Sequence, residues 1–335
     1  MPATIISLVL LIGAIASTID AAYSNKNTRF FKIAAFNIQI FGPTKSSKVD
    51  VMEIITQIVQ RYDIILIQEI RDKSGKTPEK LLKAINTNGY SYSMKLSDRL
   101  GRTYSKENYA FYYRNDTGIT IVDSFHYDDG SEEKGVDTFE REPFVVKFSI
   151  PSLSVREIGI IGLHVDPDTV VRELTALADV FKAVENKFKI DTVIAMGDFN
   201  AGCRYLSEKQ EKSLSLKSDK YFWPIEYGTD TTLAATDCSY DRFIIGGAKL
   251  IELAKSGDSS VFKFDSEYEL TKEKSMSVSD HYPIELFLPT KTVVPLSTTA
   301  TITTESSGIN PVNYKLSYSI LYGAVLFIIL LKMLN

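Results

Sequence analysis

The chain has 335 residues, of which 44% are hydrophobic, and a formal net charge of −4 at pH 7. That length suffices for one large folded domain with appendages at both ends. Proteins that hold nucleic acid by bulk electrostatic attraction are usually basic. The acidic balance therefore argues against that mode and restricts any nucleic-acid contact to a local site or to one aided by divalent cations.

An apolar run opens the chain. The stretch TIISLVLLIGAIAS (4–17) contains the small-residue pattern Ala14-Ile15-Ala16, which is typical of a secretory signal peptide and is too short for a stable membrane span. Cleavage can also follow Ala22, and we assign residues 1–22 to the signal peptide. The chain is therefore expected to enter the secretory pathway.

Strand-like and helix-like segments then alternate along the chain. Continuous or alternating apolar residues predict strands at 31–38, 63–69, 109–114, 119–125, 144–150, 157–164, 191–197, 242–245, 261–264 and 284–288. Helical spacing of apolar residues predicts helices at 49–61 and 170–188, and Thr77-Pro78 predicts the start of a third, with Thr77 as its N-cap. Many strands with helices between them indicate an α/β fold for residues 23–290. We expect a four-layer α-β-β-α sandwich of two packed mixed sheets flanked by helices.

The end of the chain changes composition. Residues 291–315 form a Ser- and Thr-rich stalk and spacer, and residues 316–335 form a hydrophobic tail. The uninterrupted apolar part, 320–331, is shorter than the about 20 residues that a spanning helix needs. Small residues, a polar spacer and a short apolar end favour a signal for a GPI anchor at the cell surface. A short transmembrane anchor starting near Leu316 is the alternative.

Two covalent features suit a secreted chain. Cys203 and Cys238 are its two cysteines, and an even pair outside the cell favours one disulfide; two buried free thiols are the alternative. The sequon Asn115-Asp116-Thr117 follows an aromatic strand and is a candidate glycosylation site at Asn115.

Polar residues cluster where the apolar strands are predicted to end, and these are Asn37, Glu69, His164, Asp198 with Asn200, and Asp280 with His281. Strand ends on one edge of a sheet converge in space, so distant residues can build one site. The carboxylates of Glu69 and Asp198 are hard oxygen ligands, and the two asparagines add neutral oxygens or amide donors. This set suits Mg²⁺ or Mn²⁺ rather than Zn²⁺. The two histidines can act as general base and general acid, although each residue taken singly could belong to an ordinary turn or loop.

Nine stretches of the sequence carry a family resemblance: KIAAFNIQIFG (32–42), IILIQEIRD (64–72), GRTYSKENYAFYYR (101–114), YDDG (127–130), FEREPFVVKF (139–148), GLHVDPDTVVREL (162–174), MGDFNAGC (196–203), CSYDRFII (238–245) and SDHYPIEL (279–286). Together they resemble the deoxyribonuclease I family of the endonuclease/exonuclease/phosphatase superfamily. GDFN and SDHYP are typical of the superfamily, whereas REPFVVKF, YDDG and CSYDR are typical of the family. The tail is similar to that of its membrane-anchored branch.

The resemblance implies a monomeric endonuclease that hydrolyses DNA with low sequence specificity and leaves 5′-phosphate and 3′-hydroxyl ends. It implies roles for the following residues: Glu69 as the main metal ligand with Asn37 nearby, Asp198 and Asn200 on metal or phosphate, Asp280 as a further metal-side carboxylate, His164 with Glu107 and His281 with Asp241 as the acid–base couple, and Arg71, Arg141 and Tyr104 on DNA. The family's disulfide matches Cys203–Cys238.

The resemblance also implies two structural Ca²⁺ sites. The first maps to Asp129, Asp137, the carbonyl of Phe139 and Glu142. The second maps to Asp230, Thr232 and Thr236, although Ala234 stands where a threonine is usual.

Two other functions stay open at this stage. One is a different phosphodiesterase or phosphatase of the superfamily, acting on phosphoinositides or sphingomyelin. The other is an inactive surface protein that binds nucleic acid or protein. The stretches around Glu107, Arg141 and Tyr240 favour the nuclease over the first, and the filled catalytic positions favour it over the second.

Overall fold

A computed structural model describes residues 29–87, 89–103, 105–130 and 136–291. The predicted signal peptide, Tyr104 and the chain beyond residue 291 lie outside these residues. The strands are β1 Phe30–Phe41, β2 Ile64–Ile70, β3 Tyr92–Leu96, β4 Asn108–Arg114, β5 Thr120–His126, β6 Phe144–Ser149, β7 Glu157–Gly162, β8 Val193–Asp198, β9 Tyr221–Phe222, β10 Asp241–Gly246, β11 Asp258–Val261 and β12 Ile284–Pro289. The helices are α1 Pro43–Ser46, α2 Val49–Val59, α3 Lys76–Ile85, α4 Val170–Phe188, α5 Glu208–Ser213, α6 Ala248–Lys255, α7 Phe264–Glu267 and α8 Lys272–Val278, with a 3₁₀ turn at Ser215–Lys217.

The strands form two six-stranded sheets. The first has the order β11-β12-β1-β2-β4-β3, and the second has the order β5-β6-β7-β8-β10-β9. The pairs β1–β2 and β7–β8 are parallel, whereas the other paired strands run antiparallel. Both sheets are therefore mixed, as the sequence predicted.

Three apolar clusters hold the layers together. The central cluster joins residues of both sheets, such as Leu66 and Phe111 of the first and Ile160 and Met196 of the second. The second cluster packs α2 and α3 on the outer face of the first sheet. The third packs α4 on the outer face of the second sheet. This arrangement confirms the four-layer α-β-β-α sandwich.

Some local predictions were wrong. Thr77 is not the N-cap of α3. The helix begins at Lys76, with left-handed Gly75 at the N-cap position, and the Thr77 N–H donates to Asp72 Oδ2 at 2.8 Å. The strand expected at 261–264 ends at Val261, because Phe264 starts α7. Within the described ranges, none of the helices is long and apolar enough to cross a bilayer.

The two cysteines form a disulfide, with Cα atoms 5.5 Å apart. This confirms the pairing and excludes two free thiols. The bond ties the segment that follows β8 to the segment that precedes β10. Both segments lead into the polar strand ends singled out in the sequence.

We expect the disulfide to stabilise the fold by closing a long loop in the unfolded chain. Its partners are 35 residues apart, and loops of that size correspond to about 2–4 kcal/mol. The paired change Cys203→Ser with Cys238→Ser should lower the free energy of unfolding in urea by that amount. An unchanged free energy of unfolding would contradict the expectation.

Glu173 is a buried carboxyl in the first turn of α4. Its Oε1 accepts hydrogen bonds from the Glu140 N–H at 3.1 Å and the Thr169 hydroxyl at 3.0 Å. Burial raises the pKa of Glu173 from 4.5 to about 7, although these hydrogen bonds oppose the rise. The folded protein therefore holds a proton on Glu173 between pH 4.5 and 7 that the unfolded chain has released.

This difference makes stability pH-dependent. The stabilising contribution is complete below pH 4.5 and is lost as the pH rises towards 7, by up to about 3 kcal/mol. Glu173→Gln should flatten the loss of unfolding free energy between pH 5 and pH 8, measured by urea denaturation at each pH. Glu185→Gln on the same helix is the control and should keep the wild-type slope.

Candidate active site

A single glutamine joins the two sheets beside the polar strand ends. Gln68 of β2 donates from Nε2 to the Leu163 carbonyl at 2.9 Å and accepts the Asp198 N–H at 2.9 Å. A Cβ on Gly197 would lie 2.3 Å from the Leu163 oxygen and 2.7 Å from Gln68 Nε2, so only glycine permits this approach. The ends of β2, β7 and β8 are thereby fixed against one another.

The first histidine is paired with a buried glutamate. His164 follows β7, and its Nδ1 lies 2.7 Å from Glu107 Oε1. The same oxygen is 2.9 Å from Arg141 Nε, and the His164 N–H donates to the Tyr109 hydroxyl at 2.8 Å. Burial lowers the pKa of His164, but the charge and hydrogen bond of Glu107 outweigh it and raise the pKa. Both the orientation and the charge of this ring are therefore set by Glu107.

The second histidine repeats the arrangement in the other half of the site. His281 Nδ1 lies 2.9 Å from Asp241 Oδ2, at the first residue of β10. The Thr231 hydroxyl donates to the same oxygen at 2.8 Å. Burial opposes protonation of His281, but the charges of Asp241 and Asp198 raise its pKa to about 10.

Both rings face one oxygen. The Nε2 atoms of His164 and His281 each lie 3.5 Å from Asp198 Oδ2. Asn37 donates to the same oxygen at 3.0 Å, and the Asn200 N–H donates to Asp198 Oδ1 at 3.0 Å. Burial raises the pKa of Asp198, but the two histidines and these hydrogen bonds lower it overall. The structure thus holds an ionised carboxylate between two imidazoles.

Glu69 and Asp280 lie beside a bulge at the end of β1. Asn37 Nδ2 also donates to Glu69 Oε1 at 3.1 Å, while its own oxygen accepts the Gln39 N–H at 2.9 Å. Gln39 donates to Asp280 Oδ2 at 2.7 Å, and Asp280 Oδ1 has no hydrogen-bond partner. With this amide orientation, Asn37 positions the carboxylates of Glu69 and Asp198, and its oxygen is not turned towards a cation between them.

The backbone around these residues is strained. Among the described residues, seven non-glycine positions have positive φ. Five of them lie in the last residues of β1 and β2 or in the segment after β8: Gln39, Ile40, Glu69, Asn200 and Cys203. Left-handed backbone is uncommon for residues with a side chain and persists where the surroundings enforce it, most often at functional sites. Its concentration here supports the assignment of the site.

The carboxylates can accommodate a hard divalent cation. Glu69 keeps 12% of its side chain exposed, and the unpartnered Asp280 oxygen needs a donor or an ion. In the described part of the chain, Asp198, Asp241 and His281 are the group of three acidic or histidine side chains whose ligand atoms lie within 4.8 Å of one another. A cation among those three would compete with the His281–Asp241 hydrogen bond. We therefore favour the oxygen atoms around Glu69, as the sequence suggested.

The residues predicted for Ca²⁺ are held by protein donors. Asp129 Oδ2 accepts the N–H groups of Thr138 at 2.6 Å and Phe139 at 2.7 Å. Arg102 donates to the Asp137 carboxylate and to the Phe139 carbonyl, both at 2.9 Å. These contacts link Asp129 and Arg102 to the segment 137–139, but among the described residues the carboxylates of Asp129, Asp137 and Glu142 do not all lie within 4.8 Å of one another. The first calcium site stays a prediction.

The residues predicted for the second Ca²⁺ site also contact protein groups. Asp230 Oδ1 accepts the Thr232 N–H at 3.1 Å, and Lys263 Nζ lies 3.7 Å from Asp230 Oδ2. The Thr236 hydroxyl lies 3.6 Å from the Cys238 sulfur. This site also stays a prediction.

Two arginines converge on Glu107. Arg71 Nη2 lies 3.0 Å from Glu69 Oε2, and Arg71 Nε lies 3.7 Å from Glu107 Oε2. Arg141 is paired with the other Glu107 oxygen, and its Nη1 has no hydrogen-bond partner. Arg71 and Arg141 therefore place positive charge beside His164, where it would attract an anionic substrate. Tyr104, the third predicted DNA contact, lies outside the described residues.

Sequence reasoning missed several supporting residues. Gln68 carried a signal, since it is a lone polar residue within the apolar run of β2. Tyr109, Thr231 and Arg242 carried none. Arg242 is fully buried behind Asp241 and donates to the Ala201 carbonyl at 2.9 Å, the Ile225 carbonyl at 2.6 Å and the Glu211 carboxylate at 2.6 Å.

The sequence and the fold both have known counterparts. The model of the endonuclease/exonuclease/phosphatase family matches residues 34–281. Deoxyribonuclease-1 of Oryctolagus cuniculus is 43% identical over 259 residues, which cover 77% of this chain and 92% of the relative. Deoxyribonuclease-1 of Homo sapiens is 41% identical over 277 residues, which cover 82% of this chain and 96% of the relative.

Solved structures agree on the fold. The endonuclease/exonuclease/phosphatase from Bacteroides vulgatus aligns with a TM-score of 0.55 and 14% identity, over 78% of this chain and 100% of that one. The human Nocturnin catalytic domain aligns with a TM-score of 0.52 and 15% identity, over 78% and 95%. The family match and the two identities above 40%, each over most of both chains, carry the assignment: this chain belongs to the endonuclease/exonuclease/phosphatase family and is a deoxyribonuclease I-like member of it.

Proposed function

We propose that the protein is a divalent-metal-dependent endonuclease that hydrolyses DNA phosphodiester bonds with low sequence specificity. The observation that carries the proposal is the pair of buried histidine–carboxylate couples facing one oxygen of Asp198. Relatives named deoxyribonuclease-1 support DNA as the substrate. The products would carry 5′-phosphate and 3′-hydroxyl ends.

Two proton transfers are needed to cleave the diester. One imidazole accepts a proton from the attacking water, and the other donates a proton to the leaving 3′-oxygen. The pKa of both rings is raised by their carboxylate partners, so we propose His281 as the donor and His164 as the acceptor, and a modified substrate tests this order. Glu107 and Asp241 hold the rings through Nδ1 and leave each Nε2 facing the centre of the site.

Negative charge grows on the phosphate oxygens during the reaction. A bound Mg²⁺ or Mn²⁺ would offset that charge. We propose that Glu69 and Asp280 hold it, with Asp198 and Asn200 beside them and with Asn37 positioning Glu69. Arg71 and Arg141 would contact the phosphate backbone and, with Tyr104, the neighbouring groove. Minor-groove readout is coarse, which accounts for low sequence specificity.

Further features belong to the same proposal. Ca²⁺ would stabilise the loops that contain Asp129 and Asp230. Asn115, which is exposed in the turn after β4, would carry a glycan. We propose that the nuclease domain, 23–290, acts as a monomer.

The first experiment is nicking of supercoiled plasmid, with and without EDTA. We expect cleavage with Mg²⁺ or Mn²⁺ and its loss with EDTA, because the acidic site needs a cation to offset phosphate charge. The same preparation is tested on phosphoinositides and sphingomyelin. Turnover of a lipid without DNA cleavage would favour another phosphodiesterase or phosphatase of the superfamily. Binding of DNA without turnover of any substrate would favour an inactive surface protein that binds nucleic acid.

Removal of either site histidine should abolish most cleavage while the protein still folds. His164→Ala and His281→Ala should each lower kcat by about 10²–10⁴-fold, measured on a fluorescent oligonucleotide. His126→Ala is the matched control, because His126 lies outside the site and its ring stacks on Phe144 at 4.9 Å. Near wild-type cleavage by either site variant would refute the assignment.

A modified substrate separates the two roles. A diester with sulfur in place of the 3′-oxygen releases a thiolate, which leaves without needing a proton. This substrate should restore cleavage by His281→Ala and not by His164→Ala. The opposite pattern would exchange the acid and the base.

We also propose that the mature chain is cut near Ser306–Gly308 and held at the cell surface by a GPI anchor. The support is sequence composition alone, since the tail lies outside the described residues. Phosphatidylinositol-specific phospholipase C should release active enzyme from intact expressing cells. Retention of activity on the cells, with Leu326–Asn335 still present in the mature protein, would identify a transmembrane anchor instead.

A further inference from the structure

Ile40 combines two unfavourable properties at the edge of the proposed site. Its φ is +54°, in the left-handed region, and its side chain is 55% exposed. A β-branched residue in this region is a genuine outlier, because its Cβ crowds the backbone. The three apolar clusters of the described residues do not include it.

The backbone of Ile40 is fixed by the site carboxylates. Its N–H donates to Glu69 Oε2 at 2.9 Å, and the preceding residue, Gln39, donates to Asp280 Oδ2 at 2.7 Å. The pairing of β1 with β2 is irregular between Asn37 and Phe41, where the bulge forms. Glu69 itself has a φ of +58°. The conformation of this bulge is thus dictated by where Glu69 and Asp280 must lie.

That constraint explains the backbone but not the side chain. Glycine would supply the same N–H and adopt the same φ without strain. An isoleucine adds exposed apolar surface and strain, and packing within the described chain does not compensate for either. A bound partner that packs against the exposed side chain would explain why isoleucine stands here. The nearest such partner is the substrate held beside Glu69.

We propose that Ile40 is a substrate-binding residue whose side chain packs against the sugar and base edge of bound DNA next to the scissile phosphate. Apolar side chains of this kind contact the groove in several proteins that bind DNA. An uncharged contact does not depend on base identity, in keeping with low sequence specificity. The inference rests on the proposed function.

The test is a substitution that keeps the backbone and removes the side chain. Ile40→Gly should raise the melting temperature by a few degrees, because it relieves strain, and should raise KM for duplex DNA about tenfold with kcat unchanged. Loss of binding shared by ground and transition states has this signature. Ile40→Val, which keeps an apolar β-branched side chain, should retain the wild-type KM.

A control variant separates strain relief from substrate contact. Lys189 has a φ of +56° at the C-terminal end of α4, before the start of β8 and at the opposite end of that strand from Asp198. Lys189→Gly should also keep or raise the melting temperature, but it should leave KM and kcat unchanged. If Ile40→Gly does not fold, Ile40→Asn takes its place, because asparagine tolerates left-handed backbone.

The possible outcomes are distinct. Wild-type KM in Ile40→Gly would overturn the inference. A fall in kcat at constant KM would also overturn it, because it would show that the residue acts by positioning Glu69. Absence of DNA cleavage by the wild-type enzyme would refute the proposed function itself, and that result is obtained before any variant is compared.

Discussion

The buried carboxylate of Asp198 is the constraint on which the site depends. A buried charge is costly unless it is paired and hydrogen-bonded, and Asp198 meets this need with groups from four parts of the chain. Asn37 reaches it from β1, Asn200 from the loop after β8, His164 from the segment after β7, and His281 from the loop before β12. Each of these segments must therefore bring its side chain or N–H group to the same carboxylate, and a shift of any one of them would remove one of the partners of the buried charge.

The sandwich makes that convergence possible. Parallel pairs at the centre of each sheet, β1–β2 and β7–β8, send strand ends to one edge. Gln68 then joins the two edges by using both ends of its amide, and Gly197 permits the close approach. Because these strands are buried in the central apolar layer, the short segments that carry His164, Asn200 and His281 start from rigid elements. This is the support that acid–base chemistry requires.

Local charge balance reconciles the acidic chain with an anionic substrate. The carboxylates of Glu107 and Asp241 are turned inward, towards the Nδ1 atoms of the histidines, and Arg71 and Arg141 offset Glu107 further. The side chains of Glu69 and Asp280 stay 12% and 36% exposed, and a divalent cation bound between them would reverse the sign of the local field. The net charge of −4 is a sum over the whole chain, whereas substrate contact depends on this local arrangement of charges.

Sequence alone determined the layers, most strands, the full extent of α4 and the polar residues at the strand ends. The spacing of apolar residues and the family motifs are local signals, and they can be detected without the tertiary structure. It also paired Cys203 with Cys238. It misplaced the start of α3, since the competing Asp72–Thr77 hydrogen bond is set by how the preceding loop folds. Only the tertiary structure decided that both imidazoles face one oxygen of Asp198, that Asn37 offers its amide nitrogen to the carboxylates, and that Ile40 is held in left-handed backbone. These facts depend on contacts between residues far apart in the chain, such as Asn37 and Asp198, and no local pattern of side chains records the geometry of such a contact.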